Sequence, residues 1–330
     1  MQESMHEPIQ KPMQGVILDA DSLGQDIDLL PITSTLPEWQ IYPYSEPHQV
    51  AERIQAATVV LTNKIPLTAA QIVGAPHLKF INVMATGTNN IDVQAALQQQ
   101  IIVSNAVAYA TPSVVQHTLT LMLTLATQLP LYQRDVQLGL WQQGRAFCLL
   151  GHPIMELSGK TLGIVGCGEL GSQVAKVAEA FGMQVKIAAR AGQGPKDYAA
   201  LPLAELLPQV DILSLHCPLT PDTALLIDQQ ALALMKPSAL LVNTARGGLV
   251  DSVALLAALR SGKLAGAAID VLATEPPTAD EPLLQAGLDN LIITPHTAWA
   301  ALEARQRLVQ QMRANIEAFL ADKPVRRVLA

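Results

Sequence analysis

The sequence predicts an α/β protein of two domains, each a parallel sheet with crossover helices, on three observations. Strand-length apolar runs alternate with helical stretches from about residue 15 to the end. A strand–glycine turn–helix–strand unit, TLGIVGCGELGSQVAKVAEAFGMQVKIAAR, occupies Thr161–Arg190. The chain has 330 residues, 50% of them apolar and only 15% charged, which is enough for about two buried cores.

In chain order, residues 1–14 lack apolar periodicity and are expected to be a disordered leader. Strands are predicted at Gly15–Asp19, Ala57–Thr62, Leu78–Ala85 and Ile101–Val103, with helices at Pro47–Ala56, Thr68–Gly74 and Asp92–Gln99 between them. The third strand runs into a glycine turn at Thr86-Gly87. Ser113–Leu131 reads as one long apolar helix, with Pro112 suited to its first turn, and is expected to bridge the domains. Trp141–Leu157 reads as irregular. Beyond Arg190, strands are predicted at Asp211–His216, Ala239–Asn243, Ala267–Asp270 and Asn290–Ile293. Helices are predicted at Ala224–Met235 and Ser252–Ser261, and a last helix, Ala301–Ala321, is expected to return to the first domain. There is no internal repeat.

The glycine turn has a chemical reading. Gly166 permits the tight strand-to-helix turn, Gly168 lets backbone approach a pyrophosphate, and Gly171 lets helix and strand pack closely. The helix N-terminus there offers backbone N–H groups and the positive end of its dipole to phosphates. An acidic residue at the end of the following strand would hold an adenosine ribose 2′-OH and mark NAD. Ala188, Ala189 and Arg190 stand there instead, so no carboxylate repels a 2′-phosphate and a guanidinium can pair with one. This favours NADP(H) over NAD(H).

Composition narrows the classes. The net charge is −7, without a block of Lys or Arg, which argues against nucleic acid or anionic membrane as the main partner. Cys148, Cys167 and Cys217 are scattered singly, which suits a reducing cytoplasm. No secretory h-region and no apolar run long enough to span a membrane is visible. Without HExxH or a similar cluster, no metal site is expected.

In such sheets, ligands sit beyond the carboxyl ends of the strands. The polar residues there are Arg246 in NTARGG, Glu275 before Pro276-Pro277, and His296 in TPHTAW. The guanidinium fork suits a carboxylate, and a histidine shuttles protons near neutral pH. His216, beside Cys217-Pro218, makes no metal pair, and His117 is expected to face the cleft between domains.

Several longer stretches carry a resemblance: GKTLGIVGCGELGSQVA, DILSLHCPLTPDT, LMKPSALLVNTARGGLVD, GAAIDVLATEPP, NLIITPHTAWAALEAR, MATGTNNID at 84–92 and NAVAYATPSVVQHT at 105–118. Together they resemble the D-isomer-specific 2-hydroxyacid dehydrogenase family, over nearly the whole chain from Gly15. MATGTNNID and the Trp of PHTAW are similar to its glycerate dehydrogenase / hydroxypyruvate reductase branch. The resemblance implies a Rossmann NAD(P)-binding domain (109–297) inserted into a flavodoxin-like substrate domain (15–108 plus 298–330), a cleft that closes between them, and a homodimer. It implies that His296 is the general acid/base, oriented by Glu275, and that Arg246 binds the carboxylate of a small 2-keto or 2-hydroxy acid. Ala85, Thr86 and Gly87 would hold that carboxylate from the other domain. Thr111, Gly166, Gly168, Glu169, Leu170, Gly171, Arg190, Cys217, Pro218, Thr223, Thr244, Ala245 and Asp270 would line the cofactor. A dinucleotide-sensing interaction protein on the same fold, or a dehydrogenase for another acid such as 3-phosphoglycerate, stays open beside a hydroxypyruvate or glyoxylate reductase.

Overall fold

The computed structural model describes residues 13–189 and 197–329. The chain divides into two compact units, one formed by residues 1–110 and 301–330, the other by residues 111–300.

The first unit is built on five parallel strands: β1 (Gln14–Ile17), β2 (Glu38–Ile41), β3 (Val59–Thr62), β4 (Phe80–Val83) and β5 (Ile102–Ser104). Their order is β2-β1-β3-β4-β5, the doubly wound order of flavodoxin-like sheets. β3 and β4 are buried along their whole length, because helices cover both faces of a parallel sheet. One face is covered by Val50 and Ile54, Ile72, and Ala95 and Ala96. The other receives the helix Leu302–Leu320, whose Phe319 ring stacks on Phe80 with centroids 4.7 Å apart. A buried amide pair fixes that helix: Asn315 Nδ2 donates to Asn82 Oδ1 at 2.9 Å, and Asn82 Nδ2 donates to Met312 O at 3.0 Å.

β2 is a strand the apolar pattern does not predict. Its residues, EWQI, lie at a sheet edge and are mostly exposed, so no apolar run announces it. Trp39 of β2 covers Gly15 of β1, where a Cβ would come within 2.5 Å of the indole ring. Just past β1, the buried carboxylate of Asp19 accepts the backbone N–H groups of Asn63, Lys64 and Ile65, fixing the loop after β3. Burial pushes this carboxyl above the usual range, and those backbone donors oppose the rise.

The second unit holds seven parallel strands: β6 (Thr161–Val165), β7 (Gln184–Ala188), β8 (Ala199–Leu201), β9 (Ile212–Leu215), β10 (Leu240–Asn243), β11 (Gly266–Ile269) and β12 (Leu291–Ile293). The order is β12-β11-β10-β9-β6-β7-β8, so the winding reverses between β6 and β9. A crevice at that reversal is where doubly wound sheets bind ligands. Apolar side chains line both faces: Leu213, Leu215 and Leu241 on one, Leu162, Ile164, Ile212 and Val242 on the other. β8 was not predicted, being three residues long and largely exposed at an edge.

The long helix predicted over Ser113–Leu131 is two helices, Thr111–Thr127 and Leu129–Gln137. Gln128 between them takes a left-handed φ of 53°. Pro130 explains the break, because a proline ring clashes with the carbonyl one turn earlier and supplies no N–H. The first of these helices falls wholly within one compact unit. It is part of the second unit, where Val115, Leu119, Met122 and Leu125 join the core against Ile164, Val174 and Val242. Residues 298–300, expected with the substrate domain, also belong to the second unit. Ala298 N donates to Asp270 Oδ2 at 3.0 Å, and Ser113 Oγ donates to Ala298 O at 2.6 Å.

Candidate active site

The glycine turn after β6 is shaped by contacts that side chains would destroy. Gly166 has φ +95°, and a Cβ on it would lie 2.5 Å from Cys217 N, so only glycine lets the ends of β6 and β9 approach this closely. A Cβ on Gly171 would overlap the carbonyl oxygen of Gly166. Gly168 differs, since nothing stands within 4 Å of the position its Cβ would take. It is the N-cap of the helix Glu169–Ala180, and no side chain caps that helix end. A bare helix N-terminus with open space at its first residue fits the pyrophosphate of a dinucleotide. Glu169 and Leu170 form its first turn.

Opposite, the loop after β9 carries Cys217 and Pro218. Thr223 Oγ1 donates to Pro218 O at 2.8 Å and accepts from Thr220 N at 2.8 Å, which closes that loop on itself. Burial pushes the Cys217 and Cys167 thiols up, away from thiolate chemistry. Arg190 lies outside the described residues, as do Gly192, Gln193, Gly194 and Lys196 of the same loop.

The loop after β10 is stapled by its own polar side chain. Asn243 Oδ1 accepts from Ala245 N at 3.0 Å, and Asn243 Nδ2 donates to Arg246 O at 2.9 Å. This holds Thr244, Ala245 and Arg246 in a fixed turn, with Arg246 Nη1 on Ala245 O at 2.7 Å. A Cβ on Gly247 would overlap the backbone of Leu272 and Ala273, so this loop lies directly against the one that carries Glu275.

Glu275 and His296 meet. His296 Nδ1 is 2.6 Å from Glu275 Oε2, and Glu275 Oε1 accepts from Leu272 N at 2.9 Å. The carboxylate is thus held at both oxygens, which makes Nδ1 the ring's donor and leaves Nε2 for other chemistry. Both side chains are about 30% exposed, open enough to meet a substrate. His296 takes φ +53°, a left-handed conformation rare for a side chain of this size. Its N–H donates to Asp270 O at 2.7 Å.

Asp270 is 1% exposed, and its carboxylate is fully engaged. Oδ1 accepts from Thr294 Oγ1 at 2.5 Å and Thr297 N at 2.9 Å, and Oδ2 from Ala298 N. Burial raises its pKa, but hydrogen bonds from His117, Thr294 and the two N–H groups outweigh that and hold it below the usual carboxylate range. His117, from the helix Thr111–Thr127, places Nε2 3.1 Å from Thr294 Oγ1 and 3.4 Å from Asp270 Oδ1.

Two histidines, His117 and His216, were given no chemical role from the sequence. His117 sits one residue from Thr118 on an otherwise apolar helix face, a signal that was available. His216 is half-buried just past β9, with Nε2 2.9 Å from Ser214 Oγ and Nδ1 shielded from solvent without a partner among the described residues. Burial drives its pKa down to about 4. In the first unit, Asn105 Nδ2 donates to Thr86 O at 2.8 Å and Ala106 N to Ala85 O at 3.0 Å, fixing the turn at Ala85, Thr86 and Gly87. No helix among the described residues is long and apolar enough to cross a membrane.

Comparisons with known proteins identify the family. The family described as D-isomer specific 2-hydroxyacid dehydrogenase, NAD binding domain, matches residues 119–298. The chain is 45% identical over 278 residues to a glycerate dehydrogenase of Methylorubrum extorquens, covering 84% of this chain and 87% of that one. It is 38% identical to a hydroxypyruvate reductase of Blautia hydrogenotrophica, covering 84% and 86%. Among solved structures, an acyclic imino acid reductase in complex with NADPH and D-arginine superimposes with a TM-score of 0.86 at 26% identity, covering 96% of this chain and all of that one. The chain belongs to the D-isomer-specific 2-hydroxyacid dehydrogenase family of NAD(P)-dependent oxidoreductases.

Proposed function

We propose that the enzyme reduces a small 2-keto acid, hydroxypyruvate or glyoxylate, to the D-2-hydroxy acid, with NADPH preferred over NADH. The observation that carries the reading is the His296–Glu275 pair at 2.6 Å, placed in the same unit as a glycine turn fit for a dinucleotide. Bound NAD(P)H supplies the hydride for the carbonyl carbon. His296, in its doubly protonated form, gives the Nε2 proton to the carbonyl oxygen, and Glu275 holds the ring by accepting from Nδ1. Arg246 pairs with the substrate carboxylate and polarises the carbonyl. Thr111, Cys217, Pro218, Thr223, Thr244 and Ala245 line the cofactor. The NADPH preference is supported by Ala188 and Ala189, where an acidic residue would reject a 2′-phosphate, and by Arg190 next to them.

The glycerate dehydrogenase and hydroxypyruvate reductase relatives support the substrate class. Homodimerisation, in the cytoplasm, is part of the same reading. Leu138, Trp141, Leu150 and Ile154 are exposed, and Phe147 is 92% exposed, a run of apolar surface that a second copy would cover. The test is oxidation of NADPH and NADH, side by side, with hydroxypyruvate, glyoxylate, pyruvate and 2-ketogluconate. Turnover faster with NADPH is expected. Turnover with NADH alone refutes the cofactor preference, and no turnover with any acid refutes the substrate class. Arg246→Ala should lower kcat/KM by on the order of 3 kcal/mol of transition-state stabilisation, and full activity in that variant would overturn its role.

A further inference from the structure

We propose that His117 is a positioning residue, which sets the catalytic loop through Thr294 and Asp270, and that the helix Thr111–Thr127 is the template for both catalytic loops. The proposal rests on the reading of His296 as the general acid.

Three polar side chains of that helix bond to these loops. Ser113 Oγ donates to Ala298 O at 2.6 Å, beyond His296 in the chain. His117 Nε2 reaches Thr294 and Asp270, just before it. Thr118 Oγ1 is 3.0 Å from Thr244 Oγ1, in the loop that carries Arg246. The apolar side of the same helix is locked into the core by Leu119, Met122 and Leu125. A rigid element therefore contacts the loops of the proposed acid and the proposed carboxylate anchor at fixed spacing.

The direction of the hydrogen bonds follows from proton counting. A threonine hydroxyl has one proton. At 2.5 Å from a carboxylate held ionised, Thr294 gives that proton to Asp270 Oδ1. Only lone pairs of its oxygen then face His117, so Nε2 of His117 carries a proton and donates. The chain runs from His117 Nε2–H to Thr294 Oγ–H to Asp270. Asp270 in turn gathers three consecutive N–H groups: His296 on its carbonyl, Thr297 on Oδ1 and Ala298 on Oδ2. Those three bonds hold His296 in its left-handed conformation, against the steric preference of its side chain. Removing one donor at Thr294 lets Asp270 turn and loosens that conformation. The imidazole then loses its aim at the substrate, although no group that touches substrate has changed.

The test compares Thr294→Val, which conserves volume without the hydroxyl, with Thr294→Ser, which keeps the hydroxyl, and with His117→Phe. Three readouts are used: hydroxypyruvate reduction with NADPH, NADPH affinity by fluorescence titration, and ¹⁵N–¹H NMR of the histidine tautomers in the free protein. Thr294→Val and His117→Phe should lower kcat by on the order of 10- to 100-fold with NADPH affinity retained, and Thr294→Ser should recover most of that loss. NMR should find His117 protonated on Nε2. Equal kcat in Thr294→Val and Thr294→Ser overturns the proposal, as does a His117 ring protonated on Nδ1 alone. Parallel loss of NADPH affinity and thermal stability in Thr294→Val also overturns it, since the residue would then be structural in the ordinary sense. If wild-type protein turns over no 2-keto acid, the functional reading fails instead, and the tautomer still decides the hydrogen-bond chain on its own.

Discussion

His216 makes the stability of the second unit depend on pH in a way that one substitution removes. The ring lies just past β9, and burial lowers its pKa from 6.5 to about 4. An unfolded chain exposes it, so between those two values the unfolded state takes up a proton that the native state refuses. Stability is fully present above pH 6.5 and is lost as pH falls toward 4, because the unfolded state binds more protons there. Fully expressed, that gap is worth about 3 kcal/mol; at pH 5, where an unfolded histidine is almost wholly charged, about 2 kcal/mol is lost. His216→Gln keeps a polar side chain that does not titrate. Urea unfolding at pH 7.5 and pH 5.0, for wild type and variant, measures the difference. Carboxylates titrate equally in both proteins and cancel. The variant should lose about 2 kcal/mol less than wild type over this interval. Identical losses would mean that His216 is solvated or protonated in the native protein, and the burial argument would be wrong.

Other expectations follow from the geometry. Glu275→Gln leaves the shape of the pair but removes the charge that faces His296 Nδ1 at 2.6 Å, and kcat should fall by on the order of 10- to 100-fold with NADPH affinity unchanged. Gly166→Ala meets both the positive φ and the backbone of Cys217, so NADPH affinity should drop below detection in titration, with weakened folding visible as an earlier melt. Asn315→Ala leaves Asn82 Oδ1 without its donor in the core of the first unit, and should cost about 1–3 kcal/mol in urea unfolding.

Much of the site is legible in the sequence because strand ends in a parallel sheet announce themselves. Mostly apolar strands of three to five residues stop at Val165, Leu215, Asn243, Ile269 and Ile293, and the chemistry begins within a few residues of each. Arg246, Glu275 and His296 were read in this way, and the structure joins the last two directly. The edge strands β2 and β8 were illegible, since an edge buries too little to need an apolar pattern. The helix break at Gln128 was legible in Pro130, yet the apolar run through Leu131 hid it. The role of Asp270 as the anchor of its neighbours' backbone was hidden for another reason. Which N–H groups a buried carboxylate collects depends on how two loops fold over it, and sequence spacing does not contain that.

Both units use one buried aspartate, just past a central strand, as the anchor of a neighbouring loop: Asp19 gathers the N–H groups of residues 63–65, and Asp270 those of residues 297 and 298. Because these aspartates hold backbone rather than side chains, the loops they anchor are defined independently of their own side-chain identities. For protein engineering this separates shape from recognition. Side chains at Lys64 or Thr297 can be exchanged while the loop path is kept, whereas replacing either aspartate would erase the path itself. The two anchors mark where a library of variants should stop, and the loop residues between them where it should begin.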